Sequence, residues 1–150
     1  TQNTAAQNAT LDMRWYLVEG DATAEDDPFS PRHIQQEVAL CQRYYEKSYA
    51  LTTAPGTSTE VGAIGQSTQA SKAYHWLDYV TFQVRKRVVP SITIYSTTGA
   101  SGKIRNRVDS VDVAAGLFGL SERGFHPFVD AVLIDAGKEL VAQWTADAEL

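Results

Sequence analysis

The sequence contains a single cysteine, Cys41, and no run of the roughly 18 apolar residues that a membrane-spanning helix needs. One cysteine cannot build an internal disulfide framework. The first residues also lack the pattern of a signal peptide. We therefore expect no membrane insertion. The chain does not begin with methionine, and we expect it to be a piece of a longer protein or a processed product.

Motifs for catalysis and metal binding are missing as well. The histidines His33, His75 and His126 are isolated, with no second ligand at metal spacing. The segment 99–103 resembles a phosphate-binding loop only loosely, because Ile104 stands where Ser or Thr is needed. No Gly-x-Ser-x-Gly elbow is present. We expect a protein that is not an enzyme and that holds neither a metal nor another cofactor.

Two carboxylate pairs, Asp26/Asp27 and Asp109/Asp112, have the chemistry that glycoside hydrolysis uses. Spacing in sequence does not show the separation of the two carboxyl groups across a sugar ring. Adjacent acids in loops more often face solvent or form turns, so we favour that interpretation.

Length and composition indicate one globular domain with a short lead-in. The chain has 150 residues, of which 43% are hydrophobic and 21% charged, as in ordinary soluble proteins. The formal net charge of −5 argues against nucleic acid as a partner. We predict a lead-in linker and strand over 1–29, and a helix followed by a terminal β-sandwich domain over 30–150.

One helix is predicted near the start of the domain. Ser30 can serve as N-cap and Pro31 as the first helical residue. Apolar residues then recur at helical spacing as far as Tyr45, so the helix is predicted to end near Lys47. We expect it to pack on a sheet, with Cys41 buried in its apolar stripe.

The rest of the sequence predicts β structure. The segment 52–71 is rich in Ser, Thr, Gly and Ala, which is typical of a long loop or weak edge strands. Period-two alternation then follows around residues 80–84, 92–94, 129–133 and 140–144. Turn residues lie between these segments at 89–90, 98–99 and 136–137 and around 116–124. Short strands without intervening helices favour a mainly β fold, an antiparallel, jelly-roll-like sandwich.

Two features of the sequence leave alternatives open. The basic run 85–87 is either the polar end of a strand or a patch for acidic sugars and phosphates, and we favour the first. The segment Tyr74-His75-Trp76 either fills core or stacks on sugar rings. On side-chain chemistry alone we take as candidate glycan-binding residues Tyr74, His75, Trp76, Arg85 and Tyr95.

Beyond these patterns, the chain resembles phage tail and tail-fibre proteins over about Trp15 to Leu150. The similarity is carried by Trp15–Gly20, Ala22-Thr23, Pro28-Phe29, Pro31-Arg32 and the helix motif Leu-Cys-Gln-Arg-Tyr-Tyr over 40–45, and more loosely by segments such as 82–88, 90–95 and 144–150. The acidic insertion 25–27 departs from the family pattern.

This resemblance implies a virion protein of the phage tail that binds a host surface glycan or lipopolysaccharide without catalysis, as a receptor-binding fibre tip. It also implies association as a homotrimer and contact with other tail proteins. Small β domains often cover exposed strand edges by association, which agrees with an oligomer. The alternative is a structural module that trimerises or caps the fibre without binding the receptor.

Overall fold

The computed structural model describes residues 33–130 and 132–149, nearly all of which belong to one compact unit, Glu37–Leu150. This unit is mainly β, as the sequence predicts, and its strands form a nine-stranded antiparallel sheet that is consistent with the predicted sandwich. The lead-in linker and strand predicted over 1–29, and the predicted helix start at Ser30 and Pro31, lie outside the described residues.

The described part of the chain contains one helix and nine strands. The helix α1 is Ile34–Gln42. The strands are β1 Tyr45–Lys47, β2 Ile64–Ser67, β3 His75–Trp76, β4 Val80–Thr81, β5 Ser91–Tyr95, β6 Lys103–Asn106, β7 Val111–Phe118, β8 Gly124–Val129 and β9 Glu139–Asp147. No helix in the described part of the chain is long and apolar enough to cross a membrane.

Strand β9 organises the sheet because it pairs with four other strands. Its second half pairs with β1 and β5, and its first half pairs with β2 and β6. Every residue from 140 to 146 is buried. A strand that has neighbours on both edges and is covered on both faces has no contact with water. Its side chains therefore have to be apolar or to find hydrogen-bond partners within the protein. Within the described residues, the amide oxygen Oε1 of Gln143 lies buried without a hydrogen-bond partner.

The outer part of the sheet runs in the order β6-β7-β8-β3, with β4 also pairing with β8. In β8 the buried residues Phe125, Pro127 and Val129 alternate with His126 and Phe128, which are half-buried on the opposite face. This alternation is the period-two pattern of a strand with one face on the core. It also directs His126 and Phe128 to the outer face of the sheet.

An aromatic group forms the centre of the core. The ring centroids of Phe82, Phe125 and Trp144 lie 5.6–5.8 Å apart, within the usual range for interacting aromatic rings. Aliphatic side chains of β5, β6 and β9 surround this group, among them Ile94, Ile104 and Leu140. The core therefore joins strands that are far apart in sequence.

The predicted end of the helix is wrong. The helix stops at Gln42, and residues 45–47 form β1, which pairs with Thr145–Asp147 of β9. Glu46 points into the domain from this strand and is buried. The apolar residues at 44–45 keep a helical spacing, but pairing with a distant strand determines their conformation. A prediction from periodicity takes no account of such pairing.

The predicted burial of the helix face is also wrong. None of the residues of α1 is buried, and Cys41 is exposed. The side chains of Ile34, Val38 and Leu40 are exposed by 70%, 40% and 43%. An apolar stripe at helical spacing shows only that a helix has an apolar side and does not show that the same chain covers it.

Among the predicted strand segments, 92–94 and 140–144 are confirmed as parts of β5 and β9. The segment 80–84 forms a strand only at Val80–Thr81. The prediction of a strand over 129–133 is wrong, because β8 ends at Val129 and Leu133 is 70% exposed. The turn predicted over 116–124 is confined to the residues between β7 and β8, since Gly116 lies inside β7.

The carboxylate of Asp112 on β7 forms hydrogen bonds with the hairpin that joins β5 to β6. Asp112 accepts hydrogen bonds from the hydroxyls of Ser96 and Thr98 at 3.0 and 2.6 Å and from the Arg105 guanidinium at 3.1 Å. Partial burial raises the pKa of Asp112, but the hydrogen bonds from Thr98, Arg105 and Ser96 outweigh it and hold the pKa below its ordinary value of 3.8.

Asp112→Asn is expected to lower the free energy of unfolding at pH 7 by about 1–2 kcal/mol, since hydrogen bonds to a charged group are lost. A carboxyl group with a lowered folded-state pKa stabilises the protein above its unfolded-state pKa, and this contribution disappears as the pH falls through the folded-state pKa. Urea unfolding at pH 7 and at pH values stepped downward from 3.8 is therefore expected to show the free energies of the two proteins converging as the pH falls. Asp130→Asn, at an exposed position, is the control. If the free energies of unfolding of the two proteins differed equally at neutral and at acid pH, the stabilising role of the Asp112 carboxylate would be contradicted.

Candidate functional site

Six aromatic side chains gather on the outer face of β3, β7 and β8. We call this group the aromatic surface, and it consists of Tyr74, Trp76, Tyr79, Phe118, His126 and Phe128. The strand register brings them together, because Trp76 pairs with Phe128 and Phe118 pairs with His126. Residues that share one face of paired strands lie close enough for their side chains to touch.

Trp76 lies at the centre of the aromatic surface. Its ring centroid is 4.8 Å from that of Phe128, 5.3 Å from that of Phe118 and 6.0 Å from that of His126. Tyr74 extends the group at 6.4 Å from Phe128, and Tyr79 extends it at 4.9 Å from His126. The rings hold one another in place, so they present a preformed surface.

This surface remains open to solvent. The exposed fractions are 61% for Phe118, 52% for Tyr74, 46% for Trp76 and 43% for Tyr79. Single exposed apolar residues are ordinary, but several contiguous large rings indicate a surface that binds something. The aromatic surface is therefore the candidate site of this domain.

Gly116 allows Phe128 to adopt its position. Gly116 and Phe128 are partners across β7 and β8, and a Cβ atom at position 116 would collide with the Phe128 ring. A ring that covers a glycine on the neighbouring strand shields the backbone, which stabilises a strand position where no side chain is present. The ring of Phe128 thus covers Gly116 and also contacts the ring of Trp76.

A cavity of about 260 Å³, lined by both apolar and polar groups, adjoins the aromatic surface. The cavity is lined by Tyr74, His75 and Trp76, by Leu140, and by residues of β2 and the loop after it, namely Gln66, Ser67, Thr68, Gln69, Ala70 and Lys72. The cavity combines ring faces with amide, hydroxyl and ammonium groups, so it can hold a small polar ligand against an aromatic wall.

The structure brings together three of the five candidate residues named from the sequence. Tyr74 and Trp76 belong to the aromatic surface, and His75 lies between them in the chain. The His75 ring is half-buried, with Nε2 3.2 Å from the carbonyl oxygen of Ile134, and it lines the cavity.

Arg85 and Tyr95 lie in other environments. Arg85 is exposed and forms an ion pair with Glu122 at 3.3 Å. Tyr95 belongs to β5, which pairs with β9, and its ring is 6.0 Å from that of Tyr49. The other aromatic residues of the surface were not among the candidates, because strand pairing brings them together. The pairing of β3 with β8 places Phe128 beside Trp76, and the pairing of β7 with β8 places Phe118 beside His126, which Tyr79 also contacts.

The favoured interpretation of the basic run 85–87, the polar end of a strand, is wrong, because β4 ends at Thr81 and Lys86 is buried. Lys86 is buried, and its ammonium group is 2.6 Å from Glu46 and donates to the carbonyl oxygen of Gln42. The guanidinium of Arg87 lies over the ring of Tyr44, 5.7 Å from its centroid. These cations connect the segment to the chain around β1.

Asp109 and Asp112, which the sequence offered as a possible pair for glycoside hydrolysis, form hydrogen bonds and ion pairs within the described residues. Asp109 lies 2.5 Å from the ammonium group of Lys138, and this hydrogen bond holds the pKa of Asp109 below its ordinary value. Asp112 is held by the hairpin hydroxyls and Arg105. Asp26 and Asp27 lie outside the described residues. The described residues contain no group of three or more His, Cys, Asp or Glu suited to a metal ion.

The fold and this site define a mainly β domain with an exposed aromatic surface beside a small cavity. No protein-family model matches the sequence, and no curated protein matches it. Among solved structures, the chain is similar to the tailspike gp61 of Pseudomonas phage phi297, with 14% identity and a TM-score of 0.47. The match covers 70% of this chain and 15% of the tailspike chain, so this chain spans a small part of that protein.

Proposed function

We propose that this chain is a non-catalytic adhesion domain of a phage tail fibre that binds a glycan or lipopolysaccharide on the host surface. The observation that carries the proposal is the solvent-exposed aromatic surface around Trp76. Aromatic faces bind the C–H faces of sugar rings, while the adjoining amide and hydroxyl groups can bind sugar hydroxyls. The resemblance of the sequence to phage tail-fibre proteins supports the same assignment.

In this proposal the domain belongs to the virion, associates as a homotrimer and adjoins other tail proteins. Binding of one sugar chain at an open surface is weak, because little of the ligand is buried. Three copies on one fibre raise the avidity without any new contact, since the second and third binding events become intramolecular.

Trp76→Ala is expected to weaken binding to host cells or to extracted surface glycan by at least about tenfold, because the central ring of a contact surface contributes a large share of binding energy. Phe118→Ala is expected to weaken it less, since Phe118 lies at the edge of the group. Binding is measured with the full chain on a glycan array and on host cells.

Tyr45→Ala is the matched control, because Tyr45 is 39% exposed but lies on β1, away from the aromatic surface. Its binding is expected to equal that of the wild type. If Trp76→Ala folds normally and binds as well as the wild type, the aromatic surface is not the adhesion site. New reducing ends after incubation with the glycan would contradict a non-catalytic role.

A second candidate function is a structural module that trimerises or caps the fibre. The exposed apolar residues of α1, including Val38 and Leu40, favour it, since neighbouring chains would cover them. Light scattering tests this function. A stable monomer that still binds glycan would leave adhesion as the function, and a stable trimer that binds no glycan would favour the structural role.

A further inference from the structure

We infer that the cavity beside the aromatic surface selects an anionic sugar residue, whose acid group pairs with Lys72. This inference rests on the proposed adhesion function and adds the chemical class of the ligand. Among the described residues that line the cavity, Lys72 is the one lysine, and none is an arginine, aspartate or glutamate. A positive charge beside aromatic and amide groups fits a ring that carries a carboxylate or phosphate.

The position of Lys72 is fixed by backbone hydrogen bonds. Its N–H donates to the carbonyl oxygen of Ile134 at 3.1 Å, and its own carbonyl oxygen accepts from the N–H of Ile134 at 3.0 Å. The side chain is exposed, and within the described residues it has no ion-pair partner. The backbone of Lys72 is therefore held in place, while its ammonium group is available to a ligand.

The cavity wall that carries Lys72 is held rigidly. Thr68 exchanges backbone hydrogen bonds with Lys138 and Gly137 at 2.7–2.8 Å, and its hydroxyl donates to the carbonyl oxygen of Asp135 at 2.7 Å. Ser71 donates to the Asp135 carboxylate at 3.1 Å. These bonds order the loop before a ligand arrives, which lowers the entropic cost of binding.

The Asp135 carboxylate accepts from Ser71 and is not among the groups that line the cavity. The lining side chains of Gln66, Ser67 and Gln69 are exposed and make no hydrogen bond within the described part of the chain. They supply amide and hydroxyl groups for sugar hydroxyls, while Lys72 supplies the charge. A volume of about 260 Å³ is below the range of sites for drug-sized ligands, so it suits a single sugar ring.

The net charge of the chain does not oppose an acidic ligand at this site. Of the 18 acidic residues, six lie in the first 32 positions, together with only two of the 13 basic residues. The described region is thus close to neutral. An anionic sugar that reaches Lys72 gains a local attraction, and this attraction is expected to weaken as the salt concentration rises.

The test is an array of capsular and lipopolysaccharide glycans, printed untreated and after their carboxyl groups are reduced and their phosphates removed. Wild-type chain is expected to bind acid-containing glycans and to lose at least about tenfold in affinity for the neutralised forms. Lys72→Gln is expected to lose the same factor on untreated glycans, whereas Lys72→Arg retains binding. Lys103→Gln, a lysine outside the cavity, is expected to bind like the wild type.

Separate treatment of carboxyl groups and phosphates identifies which acid is recognised. Equal binding of untreated and neutralised glycans, weakened only by Trp76→Ala, would overturn the choice of an anionic sugar and leave the adhesion function in place. Wild-type binding to no glycan would overturn both. Tight binding to acidic peptides with none to acidic glycans would also overturn both. Because Lys72 is exposed, Lys72→Gln is expected to unfold at the wild-type temperature.

Discussion

Phe125→Ala is expected to lower the free energy of unfolding by about 3–5 kcal/mol, the usual cost of truncating a buried phenylalanine. Phe125 is fully buried, and its ring centroid lies 5.8 Å from that of Phe82 and 5.6 Å from that of Trp144. The ring thus joins β8 to β9 and to the segment after β4. Removing it leaves a cavity bordered by strands whose backbones are fixed by pairing, so little of the space can close.

Phe118→Ala is the matched control for Phe125→Ala, since the same side chain is removed from a position that is 61% exposed. It is expected to cost less than about 1 kcal/mol, because little apolar surface is buried there. Urea unfolding followed by tryptophan fluorescence measures both. Equal destabilisation by the two variants would show that Phe125 does not lie at the centre of the core.

Lys86→Met is expected to destabilise the domain by about 3–5 kcal/mol, because it leaves the buried carboxylate of Glu46 without its cation. Glu46 and Lys86 are 7% and 2% exposed, and their charged groups are 2.6 Å apart. Lys86 also lies over the Phe82 ring, 4.8 Å from its centroid. Methionine keeps the apolar stem in contact with this ring, so the effect measures mainly the lost charge.

Arg85→Met is the control for Lys86→Met, because the neighbouring Arg85 forms an exposed ion pair with Glu122. It is expected to cost at most about 1 kcal/mol, since solvent screens exposed pairs. The double variant Lys86→Met with Glu46→Gln is expected to recover part of the loss, because the amide oxygen still accepts from the N–H of Gln83. If Lys86→Met costs no more than Arg85→Met, the ion pair does not hold β1 in place.

These stability predictions separate the core from the proposed binding site. Phe125 and Phe128 are both on β8 and three residues apart, yet the first is buried and the second helps form the aromatic surface. Variants of the core are expected to change unfolding and to change binding only through loss of folded protein. Variants of Trp76 and Lys72 are expected to change binding in a protein that still folds.

The sequence by itself determined the β character of the domain and the places of its most regular strands. Alternation around Ile92 and Ile94, and around Leu140 to Trp144, predicted β5 and β9, because a strand with one apolar face leaves a period of two in the sequence. The hairpin turn at Thr98-Gly99 was also predicted, and Gly99 has a φ of 93°, which favours glycine. These are local properties of the backbone.

Only the tertiary structure decided where the helix ends and which rings form the candidate site. Residues 45–47 became a strand because β9, about 100 positions later, offers them backbone partners. Trp76 and Phe118 meet because both β3 and β7 pair with β8. The energy of such contacts depends on distance in space, and a pattern read along the chain contains no information about it.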